Sequence, residues 1–335
     1  MHTLAAMAGP ELRTRARFPD VPHDAGQYES FYLKASHPTE PLGIWIRYTV
    51  HKRPAENATG SVWFTLFDAA AESPYAAKET LPAPGSGTDH YIHVGDSRLA
   101  PGRAEGHALG ASWKLEFDSR EAPLFHFPRD WMYRARLPRT KLLSPDPMTL
   151  FSGRVEANGR TLELDCWPGM VGHNWGSEHA ERWIWIHGAR FDGPGGESAW
   201  LDAVLGRIRL GPVTTPWLAN GVLSLDGVRH RLGGPERTFR TRVAETPHSC
   251  EFVLPGKDAT VRGHVGSDVH NFVGWVYADT DGSEHHTVNC SIADMTLTVE
   301  RKDRVDVTLS LSGGAAYELG MRERDHGIEI QRFDD

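Results

Sequence analysis

Residues 170–188 combine several kinds of chemistry-bearing side chain in one short stretch. They include three tryptophans, three histidines, two glutamates and one asparagine. Building a hydrophobic core does not require this mixture. A reacting cavity does use it, because imidazole and carboxylate groups transfer protons and indole rings line apolar sites. The stretch is therefore the first candidate for a functional site.

The first half of this stretch predicts a loop. Gly172 and Gly176 flank His173, Asn174 and Trp175, and glycines allow the backbone turns that present polar side chains into a cavity. We expect His173 and Asn174 to orient or polarise a ligand. The alternative is an ordinary segment whose polar groups are satisfied by the backbone.

The second half of the stretch predicts a strand. Trp183, Trp185 and His187 alternate with Ile184 and Ile186, which places the aromatic and imidazole side chains on one face. We expect that face, together with Trp175, to bind a ligand. A sheet strand with a satisfied histidine is the competing interpretation.

Two carboxylates are the candidate acids. Glu178 lies inside the stretch, and Asp202 shares a strand face with Trp200 in the run Trp-Leu-Asp-Ala-Val. Partial desolvation among tryptophans raises a carboxyl pKa and makes the group a proton donor near neutral pH. An exposed acid on an edge strand remains the alternative for Asp202.

Trp45 and Arg47 are further candidate ligand-binding residues. The run Gly-Ile-Trp-Ile-Arg-Tyr at residues 43–48 places both on one strand face. An arginine that points inward needs a partner, and Glu29 on the preceding strand is a candidate. An arginine that points outward needs none, and both readings stay open.

No metal or cofactor is predicted. His173, His179 and His187, with Glu178 and Glu181 between them, offer metal ligands, but the His-Glu-x-x-His spacing is absent. The sequence also lacks a Gly-x-Ser-x-Gly elbow, a Walker loop and a Gly-x-Gly-x-x-Gly turn. Acid–base chemistry without a redox cofactor is what remains.

Composition excludes several classes of function. The net charge is −8 with no basic stripe, so neither a nucleic-acid partner nor stable membrane insertion is expected. Three distant cysteines indicate neither disulfides nor a cysteine zinc site. With no long apolar run and no leader-like segment, the sequence predicts a cytoplasmic protein. It leaves the oligomeric state open.

The chain predicts an all-β fold. After a polar extension at residues 1–26, short strands follow one another between turn signals such as Asn158-Gly159 and Asp226-Gly227. The expected strands include residues 131–137 and 237–243, and only residues 68–79 suggest a helix. A length of 335 residues favours two domains. We therefore predict two antiparallel β-barrels side by side, at residues 27–166 and 167–335, with the functional stretch at their junction.

The sequence also resembles a known family. Residues 29–32 (Glu-x-Phe-Tyr), 45–48 (Trp-x-Arg-Tyr), 63–67 (Trp-Phe-x-Leu-Phe), 172–176 (Gly-His-Asn-Trp-Gly) and 288–293 (Val-Asn-Cys-Ser-Ile-Ala) are similar to the two-domain lipocalin-like proteins grouped with carotenoid 1,2-hydratases. Tocopherol cyclases and certain Diels–Alderases are more distant. The resemblance implies two calycin-like barrels and cofactor-free hydration, cyclisation or cycloaddition of isoprenoid or polyketide substrates.

Two functional hypotheses follow from the residues and the resemblance. The first is a cofactor-independent hydratase, lyase or cyclase acting on a hydrophobic small molecule in an aromatic cavity near the domain junction. The second is a carrier of a lipid-like ligand, which needs the cavity but no placed acid.

Overall fold

The computed structural model describes residues 14–119, 121–302 and 304–333. The fold is all-β and consists of two lipocalin-like barrel domains side by side, each formed by a nearly closed antiparallel sheet. Strands of the first sheet are β1 (Gln27–Ser36), β2 (Leu42–Lys52), β3 (Thr59–Asp68), β4 (Tyr75–Pro82), β5 (Ile92–Val94), β6 (Ser97–Ala100), β7 (Arg103–Ala108), β8 (Ala111–Ser119), β9 (Leu124–Phe125), β10 (Thr140–Ala157) and β11 (Arg160–Gly176). Their order is β4-β3-β2-β1-β11-β10-β8-β7-β6-β5, with β9 beside β10.

The second sheet contains ten strands and carries a small separate ribbon. Its strands are β12 (Arg182–Ala189), β13 (Trp200–Arg207), β16 (Leu218–Leu225), β17 (Val228–Gly233), β18 (Arg242–Thr246), β19 (Ser249–Pro255), β20 (Ala259–Gly266), β21 (Val273–Ala278), β22 (Glu284–Arg301) and β23 (Val307–Met321), and the ribbon is β14 (Arg209–Leu210) with β15 (Val213–Thr214). The order is β17-β16-β13-β12-β23-β22-β20-β19-β18, with β21 beside β22. Short 3-10 helices cover Phe18–Asp20, Asp130–Tyr133, Gly196–Ser198, Pro235–Arg240 and Val269–Asn271.

Alternating burial explains why these residues form strands. In β8, Trp113, Leu115 and Phe117 point into the first barrel while Lys114 and Glu116 face solvent, as expected for a sheet with one dry face. The hairpin turns are also those predicted. Asn158-Gly159 and Asp226-Gly227 both adopt positive φ angles, which the tight turn between antiparallel strands requires.

The two barrels share an aromatic contact. Trp45 on β2 and Trp63 on β3 belong to strands of the first barrel, but their side chains pack in the hydrophobic core of the second. The Trp63 ring centroid lies 5.0 Å from that of Trp275 on β21, in an edge-to-face arrangement. Ser36 on β1 also donates to the carbonyl of Ser291, at 3.0 Å. The outer face of β1–β3 is therefore a domain interface.

The change of sheet occurs later than the sequence predicts. Strand β11 runs through Trp167 without interruption and pairs with β1 as far as Gly176, opposite Tyr28. The next strand, β12, begins at Arg182 in the second sheet. The aromatic and apolar character of residues 167–176 thus belongs to the end of a long strand.

Four local predictions are wrong, and the first is the loop expected at residues 172–176, which form the end of strand β11. Strand β4 begins at Tyr75, inside the segment 68–79 where a helix was expected. The 3-10 helices at residues 130–133 and 235–240 overlap the segments 131–137 and 237–243, which were expected to be strands. Their pattern of apolar residues is too short to separate strand from turn. In the N-terminal extension, residues 1–13 lie outside the described part of the chain, while Ala16 and Phe18 are buried against the first barrel. Among the described residues, no helix has the length and apolarity needed to cross a membrane.

Candidate functional site

A cavity of about 530 Å³ lies between the two barrels. The first barrel supplies residues of β1, β2, β10 and β11, and the second supplies residues of β12, β13, β16, β21 and β23. The wall is mostly apolar and aromatic, and its main residues are Tyr28, Tyr32, Trp45, Arg47, Leu142, Asn174, Glu178, His179, Trp183, Trp185, Val204, Leu218, Tyr277 and Glu318. A cavity of this size and character suits a small apolar molecule.

Strand β12 places its tryptophans on the cavity as the alternation predicts. Trp183 and Trp185 line the cavity, while Ile184 and Ile186 are fully buried in the core of the second barrel. His187, on the same face as the tryptophans, lies beyond the wall, and its Nε2 contacts the Pro147 carbonyl at 3.0 Å. Burial lowers the pKa of His187 to about 4, so this imidazole is neutral at pH 7.

The polar centre of the wall is Glu318 on β23. Its Oε1 accepts a hydrogen bond from Trp183 Nε1 at 2.9 Å. Its Oε2 accepts from the Tyr277 hydroxyl at 3.2 Å and from Asn289 Nδ2 at 3.1 Å. Three donors thus hold one carboxylate in place within an otherwise apolar surface, where an unsatisfied carboxylate would be costly.

Arg47 provides the opposite charge on the same wall. Its guanidinium lies over the Tyr277 ring, 3.8 Å from the centroid, and its Nε donates to Ser30 Oγ at 2.7 Å. Its Nη1 is buried without a hydrogen-bond partner. Of the two orientations left open by the sequence, Arg47 takes the inward one, and its hydrogen-bond partner is Ser30 where Glu29 was the candidate. Arg47 and Glu318 both contact Tyr277. Burial raises the pKa of Tyr277 well above its ordinary value.

His179 joins a second buried cluster at the edge of the cavity. Its Nδ1 lies 2.6 Å from Asp279 Oδ1, and its backbone N–H donates to the same oxygen at 2.8 Å. Burial raises the pKa of Asp279, but the bonds from His179 more than offset this and hold that pKa below its usual range. Burial also lowers the pKa of both His179 and His285, so both rings are neutral at pH 7.

The three histidines considered as metal ligands go to different partners. His173 pairs with Glu29, His187 with a carbonyl and His179 with Asp279. Within the described ranges, one group of three potential metal ligands has donor atoms that all lie within 4.8 Å of one another, and it consists of His179, Asp279 and His285. In this structure His179 and Asp279 hydrogen-bond directly to each other.

Asp202 lies behind the Trp185 ring, outside the cavity wall. Trp185 Nε1 donates to its Oδ1 at 3.2 Å, and Ser144 Oγ donates to its Oδ2 at 2.5 Å. His126 Nε2 is 3.5 Å from the same Oδ2. Burial raises the pKa of Asp202, but His126 and its other partners outweigh burial and lower the pKa below its ordinary value. The expected raised pKa is therefore wrong for Asp202, which is a buried acceptor at neutral pH.

Glu178 and Asn174 both line the cavity. Glu178 forms an ion pair with Arg139 near the opening, and its side chain is 31% exposed. Asn174 follows His173 on β11, and its Oδ1 is buried without a partner. Glu178 therefore belongs to an ion pair that faces solvent. Asn174, in contrast, offers a hydrogen-bond acceptor on strand β11 at the cavity wall.

His173 is buried in the first barrel and, like Trp175, does not line the cavity, contrary to the prediction for both residues. Its Nε2 lies 2.7 Å from Glu29 Oε1, and its ring stacks on Phe31 and Trp175, with centroids 3.8 and 4.5 Å away. Glu29 also accepts the backbone N–H groups of Arg17 and Phe18, at 2.8 and 2.6 Å. These contacts fasten the N-terminal segment to β1 and β11.

Sequence reasoning missed Glu318, Tyr277 and Asp279. Glu318 carried a usable signal, because it is the sole charged residue in the apolar run at residues 313–321, and an acid inside such a strand needs a buried partner. Asp279 looked like part of an ordinary Asp-Thr-Asp-Gly turn. All three residues are distant in sequence from residues 170–188, so only the fold brings them close to that stretch.

Comparison with known sequences yields distant relatives. No family model matches the chain. Uncharacterized proteins from two strains of Mycobacterium tuberculosis are 26% identical over 313 residues, which cover 89% of this chain and 87% of each relative. The similarity extends over nearly the whole two-barrel unit.

Two solved structures have the same architecture. A candidate AttH from Nitrosomonas europaea superimposes with a TM-score of 0.56 at 13% identity, over 92% of this chain and 97% of that protein. Kievitone hydratase from Nectria haematococca gives a TM-score of 0.52 at 11% identity, over 89% and 90% of the two chains. At such identities the likeness concerns the fold, and it agrees with the lipocalin-like architecture.

Proposed function

We propose that this protein is a cofactor-independent lyase of the hydratase or cyclase type, acting on a hydrophobic small molecule bound between the barrels. The observation that carries the proposal is the buried Arg47–Tyr277–Glu318 cluster on the wall of an aromatic cavity. Burying two opposite charges beside an apolar ligand site costs free energy. A carrier of apolar ligands does not need buried charged side chains on its cavity wall, whereas an enzyme that transfers protons needs a positioned acid or base there.

Glu318 is the proposed proton-transferring group. In the hydration direction, its carboxylate accepts a proton from water while the water oxygen bonds to a carbon of the substrate double bond. The same carboxyl group then returns the proton to the adjacent carbon. Atoms and charge balance without a redox partner, and the aromatic walls exclude bulk water from the reacting atoms.

Arg47 restricts the substrate class. Its buried Nη1 has no partner in the protein and is suited to an oxygen acceptor on the ligand. A fixed cation also favours negative charge developing on a conjugated carbonyl over a carbocation. We therefore propose an oxygenated, polyketide-like or oxidised isoprenoid substrate. Asn174, with its unpartnered Oδ1, is proposed to orient the same ligand.

The other candidate residues take supporting roles in this proposal. Asp202 fixes the Trp185 indole through its hydrogen bond, and Trp183 and Trp45 shape the apolar wall. His173, His187 and Trp175 hold the strands that carry the cavity residues. Glu178, at the opening, influences entry of the ligand through its ion pair with Arg139.

The test begins with the compound that co-purifies with the protein. Solvent extraction followed by mass spectrometry identifies the bound scaffold, and incubation with the protein in ¹⁸O-labelled water reports addition of water. We expect label incorporation with the wild type, a large loss with Glu318→Gln and a smaller loss with Asp202→Asn. The lyase proposal would be overturned if all three variants, Glu318→Gln, Asp202→Asn and Glu178→Gln, incorporated label as fast as the wild type. An apolar ligand bound without conversion by the wild type identifies a carrier instead.

A further inference from the structure

Large apolar side chains are exposed around the opening of the cavity. Nine large hydrophobic residues are strongly exposed in the described part of the chain, and five of them lie on segments that border the cavity. These five are between 50% and 84% exposed, and they are Trp131, Leu137, Leu210, Val213 and Phe239. Single exposed apolar residues are ordinary, but a group around a ligand site indicates an interaction surface.

Three segments carry these side chains, and each contributes to the cavity wall. They are residues 128–141, 207–215 and 235–242, here named the mouth rim. Leu137 and Leu210 themselves line the cavity, as do Met132 and Pro235 from the same segments. The apolar lining of the cavity therefore continues to the protein surface.

The mouth rim is also strongly basic. Its three segments contain ten Lys and Arg residues but only the two acids Asp130 and Glu236, although the whole chain has a net charge of −8. Exposed arginines flank the apolar tips, namely Arg129, Arg134, Arg136, Arg139, Arg209, Arg240 and Arg242. The sequence conceals this surface because the three segments are far apart along the chain.

We propose that the mouth rim docks on the surface of an anionic lipid bilayer. Apolar tips, including a tryptophan and a phenylalanine, enter the headgroup region, while the surrounding arginines contact lipid phosphates. A bilayer fits these two features together, because apolar tips surrounded by arginines complement an apolar interior that lies beneath anionic headgroups. The passage of substrate from bilayer to cavity rests on the proposed function, whereas the docking does not.

The test is flotation of the full chain with lipid vesicles. We expect binding to phosphatidylglycerol vesicles that weakens in high salt, and much weaker binding to phosphatidylcholine vesicles. The double variant Trp131→Ser/Phe239→Ser should bind at least about tenfold more weakly, because it removes two interfacial aromatic anchors. Arg134→Gln/Arg136→Gln should weaken binding to the anionic vesicles alone.

A matched control uses exposed apolar residues away from the mouth rim. Leu109→Ser/Val305→Ser removes side chains that are 57% and 86% exposed and should bind like the wild type. Absence of vesicle binding, or an equal loss in this control, overturns the proposal. A dimer in solution would also overturn the proposal, if Trp131→Ser/Phe239→Ser dissociates that dimer and the wild type does not bind vesicles. Glu318→Gln should still bind vesicles, which separates docking from the proposed reaction.

Discussion

Two buried glutamates of this protein are each held by several hydrogen-bonding partners, but only one of the two side chains contacts the cavity. Glu29 in the first barrel accepts the backbone N–H groups of Arg17 and Phe18 and contacts His173, and it is sealed from the cavity. Glu318 in the second barrel is held by Trp183, Tyr277 and Asn289, and it forms part of the cavity wall. Burial and hydrogen bonding alone do not mark a reacting group. Contact with a cavity separates the structural carboxylate from the proposed catalytic one.

Glu318→Gln should give the largest effect on chemistry. We expect turnover of the extracted ligand to fall by about 10²- to 10⁴-fold, the usual contribution of a positioned acid or base. The variant should remain folded but lose about 1–3 kcal/mol in the free energy of unfolding, because the NH2 end of the amide must face one of the donors that now bind the carboxylate. Label incorporation from ¹⁸O-water measures turnover, and urea denaturation measures the free energy of unfolding. If Glu318→Gln does not fold, Glu318 is a structural group like Glu29.

Glu29→Gln should give the largest effect on stability. The substitution replaces a charged acceptor of backbone N–H groups by an amide that has one donor end, which costs about 3 kcal/mol in the free energy of unfolding. Urea denaturation measures it, with the exposed Glu56→Gln as the matched control. Wild-type stability for Glu29→Gln would contradict the assignment of Glu29 as the fastening of the N-terminal segment.

His187 should make the interface sensitive to acid. Burial lowers its pKa from 6.5 to about 4. Between these pH values the unfolded chain therefore binds more protons than the folded chain, and stability is lost as the pH falls from 6.5 to 4. This loss amounts to about 3 kcal/mol at pH 4. Urea unfolding of the wild type and His187→Gln at pH 4.5 and 7 should show a smaller acid loss in the variant, and equal losses would contradict the prediction.

Glu178→Gln should give the smallest effect. The side chain is 31% exposed and pairs with Arg139 at the surface, so its loss should change the free energy of unfolding by less than about 1 kcal/mol. Ligand conversion should change only in KM, because Glu178 lies at the opening. A loss in kcat as large as that of Glu318→Gln would move the proton-transferring role to Glu178.

The sequence by itself determined the fold class and the orientation of two tryptophans in the cavity wall. The all-β class follows from local features, namely the alternation of apolar and polar residues along β8 and the turns at Asn158-Gly159 and Asp226-Gly227. The orientation of Trp183 and Trp185 follows in the same way from the alternation along β12. The same local reasoning failed at residues 131–137, because a short apolar pattern fits a strand or a turn.

Only the tertiary structure decided which polar residues meet. Arg47, Tyr277 and Glu318 come from β2, β21 and β23, and their contacts depend on how one barrel packs against the other. The net pKa shift of Asp202 likewise depends on His126 and Ser144, which β12 and β13 do not supply. Periodicity predicts which face a side chain takes, but the partner on that face is set by contacts distant in sequence.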